Sequence, residues 1–574
     1  MEKKEVANIL EEIGIMLELK GENPFKSRAY YNAARVIETL TQDLVELVNA
    51  GQLDTLQGIG KALAEKITIL VKTGNLPYFE SLKASIPAGL MNMLAIPGLG
   101  AKKIKTIYEK LGITSIGELE YACQENRLRD LPGFGEKSQA RILNNIELQK
   151  KYSERFLFPM AELEANMALD YLRQNHKFIS VNIAGSLRRK KEIIKDIDIV
   201  ASSSQSDREQ LMQYFINYAN CDSIISQGNT KSSIVLKAGI NMDLRIVNED
   251  EFPFALHHFT GSKEHNTAMR SLAKNMNLKM NEYGLFRGQE RISCMDEMDI
   301  FKVLDLQYIP PELREDMGEI EAAQKGEIPA LYDGDPFYGI LHVHSNYSDG
   351  TNTLEEIVDA CQKMNLKYMG ICDHSKSAYY ANGLNEERVL RQHKEIDRLN
   401  SRLNNFKIYK GIEVDILGDG SLDFSDDFLS CFDFVIASIH SNFGLGEEAM
   451  TKRLVSAIEH PHVTMLGHPT GRLLLGREPY AVNMEKVIEA AGKAGKTIEI
   501  NSSPYRLDLD WRWGKYAKSK GIKTALNPDA HSVEGLADYK YGIGIARKGW
   551  LVTRDILNSY TTDELSHFFN SIST

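Results

Sequence analysis

From residue 2 to about residue 150, apolar positions recur every three or four residues, which predicts helices punctuated by glycine. Residues 2–20 set the pattern, with Val6, Ile9, Leu10, Ile13 and Leu17 along one stripe. From residue 178 the period shortens. FISVNIAGS, IDIVAS and SSIVLKAGINMDLRIV read as strands, the last stretch turning at residues 238–241. Helix returns near 264–276, and a short strand pair follows near 278–287. The charged, proline-bearing stretch 310–336 reads as a connector. After residue 337 seven apolar runs alternate with helical patterns: YGILHVH, YMGICDH, IYKGIEVDI, FDFVIASIH, VTMLGHP, TIEINSS and KTALNPDAH. That order predicts a parallel, barrel-like α/β domain.

The chain has 574 residues, too many for one core. No apolar run is long enough to span a bilayer, and the N-terminus has no signal-peptide pattern, so no membrane association is expected. Six scattered cysteines without a Cys-x-x-Cys pair suit free thiols in a reducing cytoplasm. The net charge of −11 is unevenly spread. Residues 51–195 hold 22 basic against 15 acidic side chains, whereas everything after 310 holds 29 against 39. A basic front suits a polyanion and an acidic back suits cations, although uneven surface decoration explains the same numbers.

Three segments of the basic region share one form: QGIGKALAEKI, PGLGAKKIKTI and PGFGEKSQARI. Gly58, Gly98 and Gly133 permit a tight turn, while Gly60, Gly100 and Gly135 let a phosphate approach the backbone. The helix that follows points free N–H groups at an anion. Such contacts hold a nucleic-acid backbone without reading bases. Helical hairpins without a ligand are the alternative.

GSLRRKKEIIKDIDIV places Asp196 and Asp198 on one face of a strand. Two carboxylates about 5 to 7 Å apart repel unless a cation lies between them. Asp243, on a later strand, completes a candidate trio of hard oxygen ligands for Mg²⁺ or Mn²⁺.

The histidines carry a second signal. Ten of the 14 follow residue 341, and most stand at the ends of predicted strands. His342, His344, Asp349, His374, Glu413, His440, His468, Asp529 and His531 are nine N/O donors on what the barrel pattern makes a single face. Mixed imidazole and carboxylate suits Zn²⁺, Mn²⁺ or Fe²⁺. His393, His460, His462 and His567 are expected to be hydrogen-bonded core residues. Arg472, Arg477 and Arg506 are expected either to grip a phosphate or to be simple surface arginines.

The glycine hairpins resemble helix-hairpin-helix DNA-binding motifs. Together with the Gly-Ser…Asp-x-Asp segment, HFTGSKEHNTAMR and NEYGLFR, they make residues 1 to about 318 similar to family X DNA polymerases. The region 337–574 resembles a PHP (polymerase and histidinol phosphatase) domain. The resemblance implies a multidomain fold: a helical helix-hairpin-helix N-terminal region, an α+β nucleotidyltransferase-type palm with thumb, and a C-terminal distorted (β/α)7 PHP barrel. The implied bounds are a lyase-like domain at 1–80, fingers at 85–150, palm at 151–250, thumb at 251–318, linker at 319–336 and PHP domain at 337–574.

By the same resemblance Asp196, Asp198 and Asp243 form the catalytic metal-binding triad. Ser186 and Arg189 contact the triphosphate, and Phe259 and Gly261 lie against the sugar. Asn266 approaches the nascent pair and Arg270 the template. Lys26, Tyr30 and Lys66 match a 5′-deoxyribose-phosphate lyase pocket. Ala62 replaces a lysine common there, so the pocket is expected to bind a 5′ phosphate, with Lys66 still able to form a Schiff base. Lys195, His258 and Lys263 also depart from the family's usual Gly, Tyr and acidic residue, and bear on sugar selection and nucleotide binding.

The barrel ligands imply up to three ions: one with His342, His344, Glu413 and Asp529, one with Glu413, His440 and His468, and one with Asp349, His374 and His531. The implied activity is short-gap DNA repair synthesis with 3′→5′ exonuclease or 3′-end-cleaning phosphodiesterase activity and possible cleavage at abasic sites. The implied partners are gapped or nicked DNA and dNTPs, and a cytoplasmic monomer is expected. Two other readings stand beside this one: a PHP-type small-molecule phosphatase, and a DNA-binding scaffold with inactive sites.

Overall fold

The computed structural model describes residues 3–572 apart from 39, 41, 95, 130 and 151–154. The chain divides into two units, Met1–Gln149 and Lys150–Thr574. The first is helical. Its opening helix, Lys3–Leu19, buries Val6, Leu10, Ile13 and Leu17, while Ile9 packs at the edge of the same core. The three Gly-x-Gly segments adopt one conformation. Gly58, Gly98 and Gly133 have φ of 99°, 90° and 83°, a region costly for any residue with a Cβ. Gly60 and Gly100 cap the helices Lys61–Thr73 and Ala101–Leu111, and the helix Glu136–Lys150 starts just after Gly135.

The second unit begins with a five-stranded sheet in the spatial order Ser180–Ile183, Asp196–Ser202, Asn241–Val247, Lys231–Leu236, Cys221–Gln227. Asp196–Ser202 and Asn241–Val247 run parallel, and the other neighbours are antiparallel. Cys221–Gln227 has no counterpart in the sequence reading. It is an edge strand with mostly exposed side chains, so no apolar alternation marks it. The helices Phe252–Thr260 and Lys263–Asn275 follow, with the small sheet Lys279–Asn281, Gly284–Arg287 and Glu290–Arg291.

The stretch 310–336 is more than a connector. It forms the helix Glu319–Lys325 and buries Arg314, Glu319 and Tyr332 completely. Its charge masked this in the sequence, because each buried ion has a partner: Arg314 with Glu297, and Glu319 with His265.

Seven parallel strands then pair in chain order from Gly339–Val343 to Thr524–Asn527. The first and last meet through a bridge between Val343 and Ala530, which brings the sheet to near closure. Several strands are buried along their whole length, the mark of a parallel sheet covered on both faces. Among the described residues no helix is long and apolar enough to cross a membrane.

Candidate active sites

The strand Asp196–Ser202 turns Ile197 and Ile199 into the core, and its alternation leaves Asp196 and Asp198 on the opposite, half-buried face. Asp198 stands directly beside Asp243 on the parallel neighbour. Burial, and then the charges of Asp196 and Asp243, push the Asp198 carboxyl up to about 7. A site that penalises its own negative charge this way fits a bound divalent cation. Lys231 lies 2.6 Å from Asp243 and partly neutralises it.

Gly185 makes this arrangement possible. Its φ is 62°, and a Cβ there would lie 2.1 Å from Asp198 Oδ2. Ser186 is half-buried on the short helix Gly185–Arg188. Arg189 Nη1 donates to the Thr260 carbonyl at 2.7 Å, and Nε donates to Glu315 at 3.1 Å. Phe259 stacks beneath the Arg245 guanidinium at 4.3 Å. The Asn266 amide donates to the carbonyls of His258 and Gly261, at 2.7 and 3.2 Å. It thus ties the start of one helix to the end of the other. Arg270 is exposed.

In the N-terminal unit, Lys66 Nζ lies 2.5 Å from the Tyr30 hydroxyl and 3.9 Å from the centre of the Tyr78 ring. Burial, and then the charge of Lys26, lower the Lys66 ammonium pKa. Lys26 itself is exposed and pairs with Glu22 at 3.5 Å.

All nine donors expected at the barrel come together at the C-terminal strand ends, every one buried or nearly so. Glu413 is central: its oxygens lie 2.8 Å from His374 Nδ1, 2.9 Å from His468 Nε2, 3.2 Å from His440 Nε2 and 3.5 Å from His342 Nε2. Asp529, at φ 52°, accepts from or faces His344 Nε2 at 3.0 Å and His342 Nε2 at 3.4 Å. Asp349 lies 3.6 Å from His374 and 3.5 Å from His531.

Sharing of donors extends beyond Glu413, the one residue expected to serve two ions. His344 gathers with Asp349, His374 and His531 as well as with His342 and Asp529, and His374 also gathers with Glu413 and His440. The donors therefore form one continuous basin. Among the described residues, ligand atoms fall within 4.8 Å of one another in three groups, all in this basin; the aspartate trio is spread more widely.

The donor set fits metal. His342 Nε2, His374 Nε2 and Asp349 Oδ2 are buried without a hydrogen-bond partner, although such orphaned atoms cost roughly 1–3 kcal/mol each. Burial would raise Glu413, yet the charges of His440, His374 and His342 hold it well below the usual carboxylate range. An anionic carboxylate ringed by imidazoles is a ligand set for a borderline divalent ion.

Two functional carboxylates escaped the sequence reading. Glu499 accepts from His342 Nδ1 at 2.7 Å, and Asp415 from His440 Nδ1 at 2.7 Å. Each turns the opposite ring nitrogen towards Glu413. The available signal was an acid inside an otherwise apolar strand, as in TIEIN, which needs a partner if buried.

Of the three arginines expected either to grip a phosphate or to lie on the surface, Arg472 and Arg506 are buried. Arg472 is buried against Asp510 and donates to the carbonyls of Arg506 and Leu507. Arg477 donates to the Gly471 carbonyl, and Arg506 is buried 3.6 Å from Asp529. Of the histidines expected in the core, His393 alone is buried; His460 is half-buried against Asp426, His462 is half-buried, and His567 is exposed and bonds the Asp563 carbonyl, because an exposed helix face needs no burial to satisfy an imidazole.

A five-stranded sheet with paired aspartates and a separate small sheet, followed by a barrel with a histidine-rich mouth, define a polymerase core joined to a PHP-type phosphoesterase. Family models match four regions of the chain. A helix-hairpin-helix domain matches residues 1–76, a SAM-like helix-hairpin-helix tandem 90–148, a DNA polymerase beta thumb 255–315 and a PHP domain 341–503. Over 574 residues the chain is 39% identical to the DNA polymerase/3'-5' exonuclease PolX of Bacillus subtilis (strain 168), covering 99% of each chain. The protein belongs to the family X DNA polymerases with a C-terminal PHP domain. It is also 32% identical over 174 residues to a probable phosphatase of Thermoanaerobacter sp. (strain X514), a match covering 28% of this chain and 67% of that one.

Proposed function

We propose that the protein is a DNA repair polymerase that fills short gaps by nucleotidyl transfer and processes 3′ ends with its PHP barrel, as a cytoplasmic monomer acting on gapped or nicked DNA with dNTPs. The observation that carries this reading is that both sets of ionisable side chains are complete in one chain: Asp198 beside Asp243 with Asp196 on the same face, and nine donors in the barrel mouth. In the palm, Asp196, Asp198 and Asp243 would hold Mg²⁺ or Mn²⁺, which supplies charge stabilisation for in-line displacement when bound. Ser186 and Arg189 would bind the triphosphate, and Phe259 and Gly261 would form the floor for the sugar. Asn266 would face the nascent pair and Arg270 the template strand.

The barrel donors would hold up to three ions of Mn²⁺, Zn²⁺ or Fe²⁺, supplying an activated water for phosphodiester hydrolysis. Glu499 and Asp415 orient the imidazoles, and the buried walls limit the water that reaches the site. Cleavage at abasic sites uses the same chemistry. The glycine hairpins would hold the DNA backbone, and the Lys26, Tyr30 and Lys66 pocket would take a 5′ phosphate. The lowered Lys66 ammonium also suits Schiff-base formation.

The test is a primer assay on one-nucleotide-gapped DNA, with Mg²⁺ and Mn²⁺ compared and nucleotides added or withheld. Asp243→Ala is expected to abolish incorporation and spare 3′ degradation, and His344→Ala to do the reverse. Loss of both activities in either variant overturns the two-site reading. The likeness of the barrel to probable phosphatases supports a second reading, hydrolysis of small phosphomonoesters. A barrel that releases phosphate from such esters but leaves 3′ DNA ends untouched would establish it.

A further inference from the structure

Lys548 ends the barrel helix Tyr539–Lys548 and is 1% exposed. Burying an ammonium costs several kcal/mol unless it is fully partnered, whereas an apolar side chain packed on Trp511 would cost nothing of the kind. Lys548 has three acceptors for its three protons: the Arg189 carbonyl at 2.9 Å, the Glu312 carbonyl at 3.2 Å and the Glu315 carboxylate at 2.8 Å. Two of these three concern Arg189, because Glu315 in turn accepts from Arg189 Nε.

The Arg189 guanidinium is thereby held from behind. Nε is fixed by Glu315 and Nη1 by the Thr260 carbonyl, while Nη2 makes no hydrogen bond among the described residues. A planar fork held by two of its nitrogens has its third direction set. The barrel also steadies the far end of the same loop, where Arg472 lies 3.6 Å from Glu192. A Cβ on Gly544, in the Lys548 helix, would sit 3.4 Å from the Lys190 side chain, so the helix packs directly on this loop.

We propose that Lys548, a residue of the PHP barrel, is a positioning residue for the polymerase reaction: acting through Glu315 and the Arg189 carbonyl, it presets the Arg189 guanidinium for the triphosphate of the incoming nucleotide. The inference rests on the reading of Arg189 as a triphosphate contact. It makes the barrel part of the synthetic machinery as well as a hydrolytic domain.

The experiment compares the full chain with Lys548→Met, Lys548→Arg, Glu315→Gln and Arg189→Ala, measuring KM for the dNTP and kcat on a one-nucleotide gap. Mn²⁺-dependent 3′ degradation without nucleotide is measured in parallel. Lys548→Met and Glu315→Gln are expected to raise KM about tenfold with kcat within about twofold, the signature of lost ground-state binding. Lys548→Arg is expected to restore most of the loss, and degradation to stay unchanged. If both variants keep the parental KM while Arg189→Ala raises it, the positioning role is refuted and the triphosphate contact stands. If Arg189→Ala leaves KM unchanged, the triphosphate contact itself fails. A parallel fall of incorporation and degradation in Lys548→Met and Glu315→Gln also refutes the proposal, because that is general loosening of the fold.

Discussion

His342 Nδ1 lies 2.7 Å from Glu499 Oε1, with both side chains fully buried in neighbouring regions of the barrel mouth. Glu499 also accepts from the His468 amide at 2.8 Å and the Asn527 side chain at 3.1 Å, so its position is fixed from three sides. Replacing it by Gln keeps the shape but removes the anion that fixes the imidazole tautomer. Glu499→Gln is expected to weaken metal binding by about 10–100-fold, seen as a higher Mn²⁺ requirement for 3′ degradation, while nucleotide incorporation is unaltered. An unchanged Mn²⁺ titration would show that the pair does not tune the site.

Gly185 sets the second prediction. A methyl group there would collide with Asp198 Oδ2 and would also strain a backbone at φ 62°. Displacing a reacting carboxylate by about 1 Å costs on the order of 100-fold in rate. Gly185→Ala is therefore expected to lower kcat for incorporation by roughly that factor and leave degradation intact. Full incorporation activity would mean that Asp198 has room the structure does not show.

A pH dependence follows from Glu297. Burial would raise its carboxyl, but Arg314 and Arg188 outweigh that and hold it at about 2. Arg188 pairs with it at 2.5 Å and Arg314 at 2.5 Å. A carboxyl whose folded pKa is depressed stabilises the fold above its unfolded pKa, and the contribution fades as pH falls from about 4.5 towards 2. Its size is on the order of 3 kcal/mol. The melting temperature of the parent is expected to fall more steeply between about pH 5 and 3 than that of Glu297→Gln. Parallel slopes would remove the assignment.

The glycine hairpins give a salt prediction. Three hairpins meeting about two phosphates each would lose on the order of 10³ in DNA affinity between about 50 and 200 mM salt. Gly98→Ala, at φ 90°, is expected to weaken binding and flatten that slope, measured by fluorescence anisotropy with gapped DNA. A flat salt response in the parent contradicts backbone holding by these turns.

What the sequence revealed and what it hid have a common cause. Gly58, Gly98 and Gly133 were legible because a left-handed turn restricts the residue type at one position. The nine barrel donors were legible because histidines and acids are conspicuous at the ends of apolar runs. Glu499, Arg472 and Lys548 were not, because each takes its meaning from a partner more than 100 residues away: His342, Glu192 and Arg189. The strand Cys221–Gln227 was hidden by its exposure, and the ordered stretch after residue 310 by charges that turn out to be paired.

The meeting of Val343 with Ala530, and of the His344 amide with the Ala530 carbonyl at 2.9 Å, puts the clasp of the ring among its own cutting tools. Asp529 and His531 arrive only with the final strand of the circuit. A polypeptide that stops short of them keeps the aspartate trio but loses two of the nine barrel donors, and with them the Lys548 ammonium that reaches the Arg189 carbonyl. The order of the strands thus makes closure of the ring and completion of its donor set a single event.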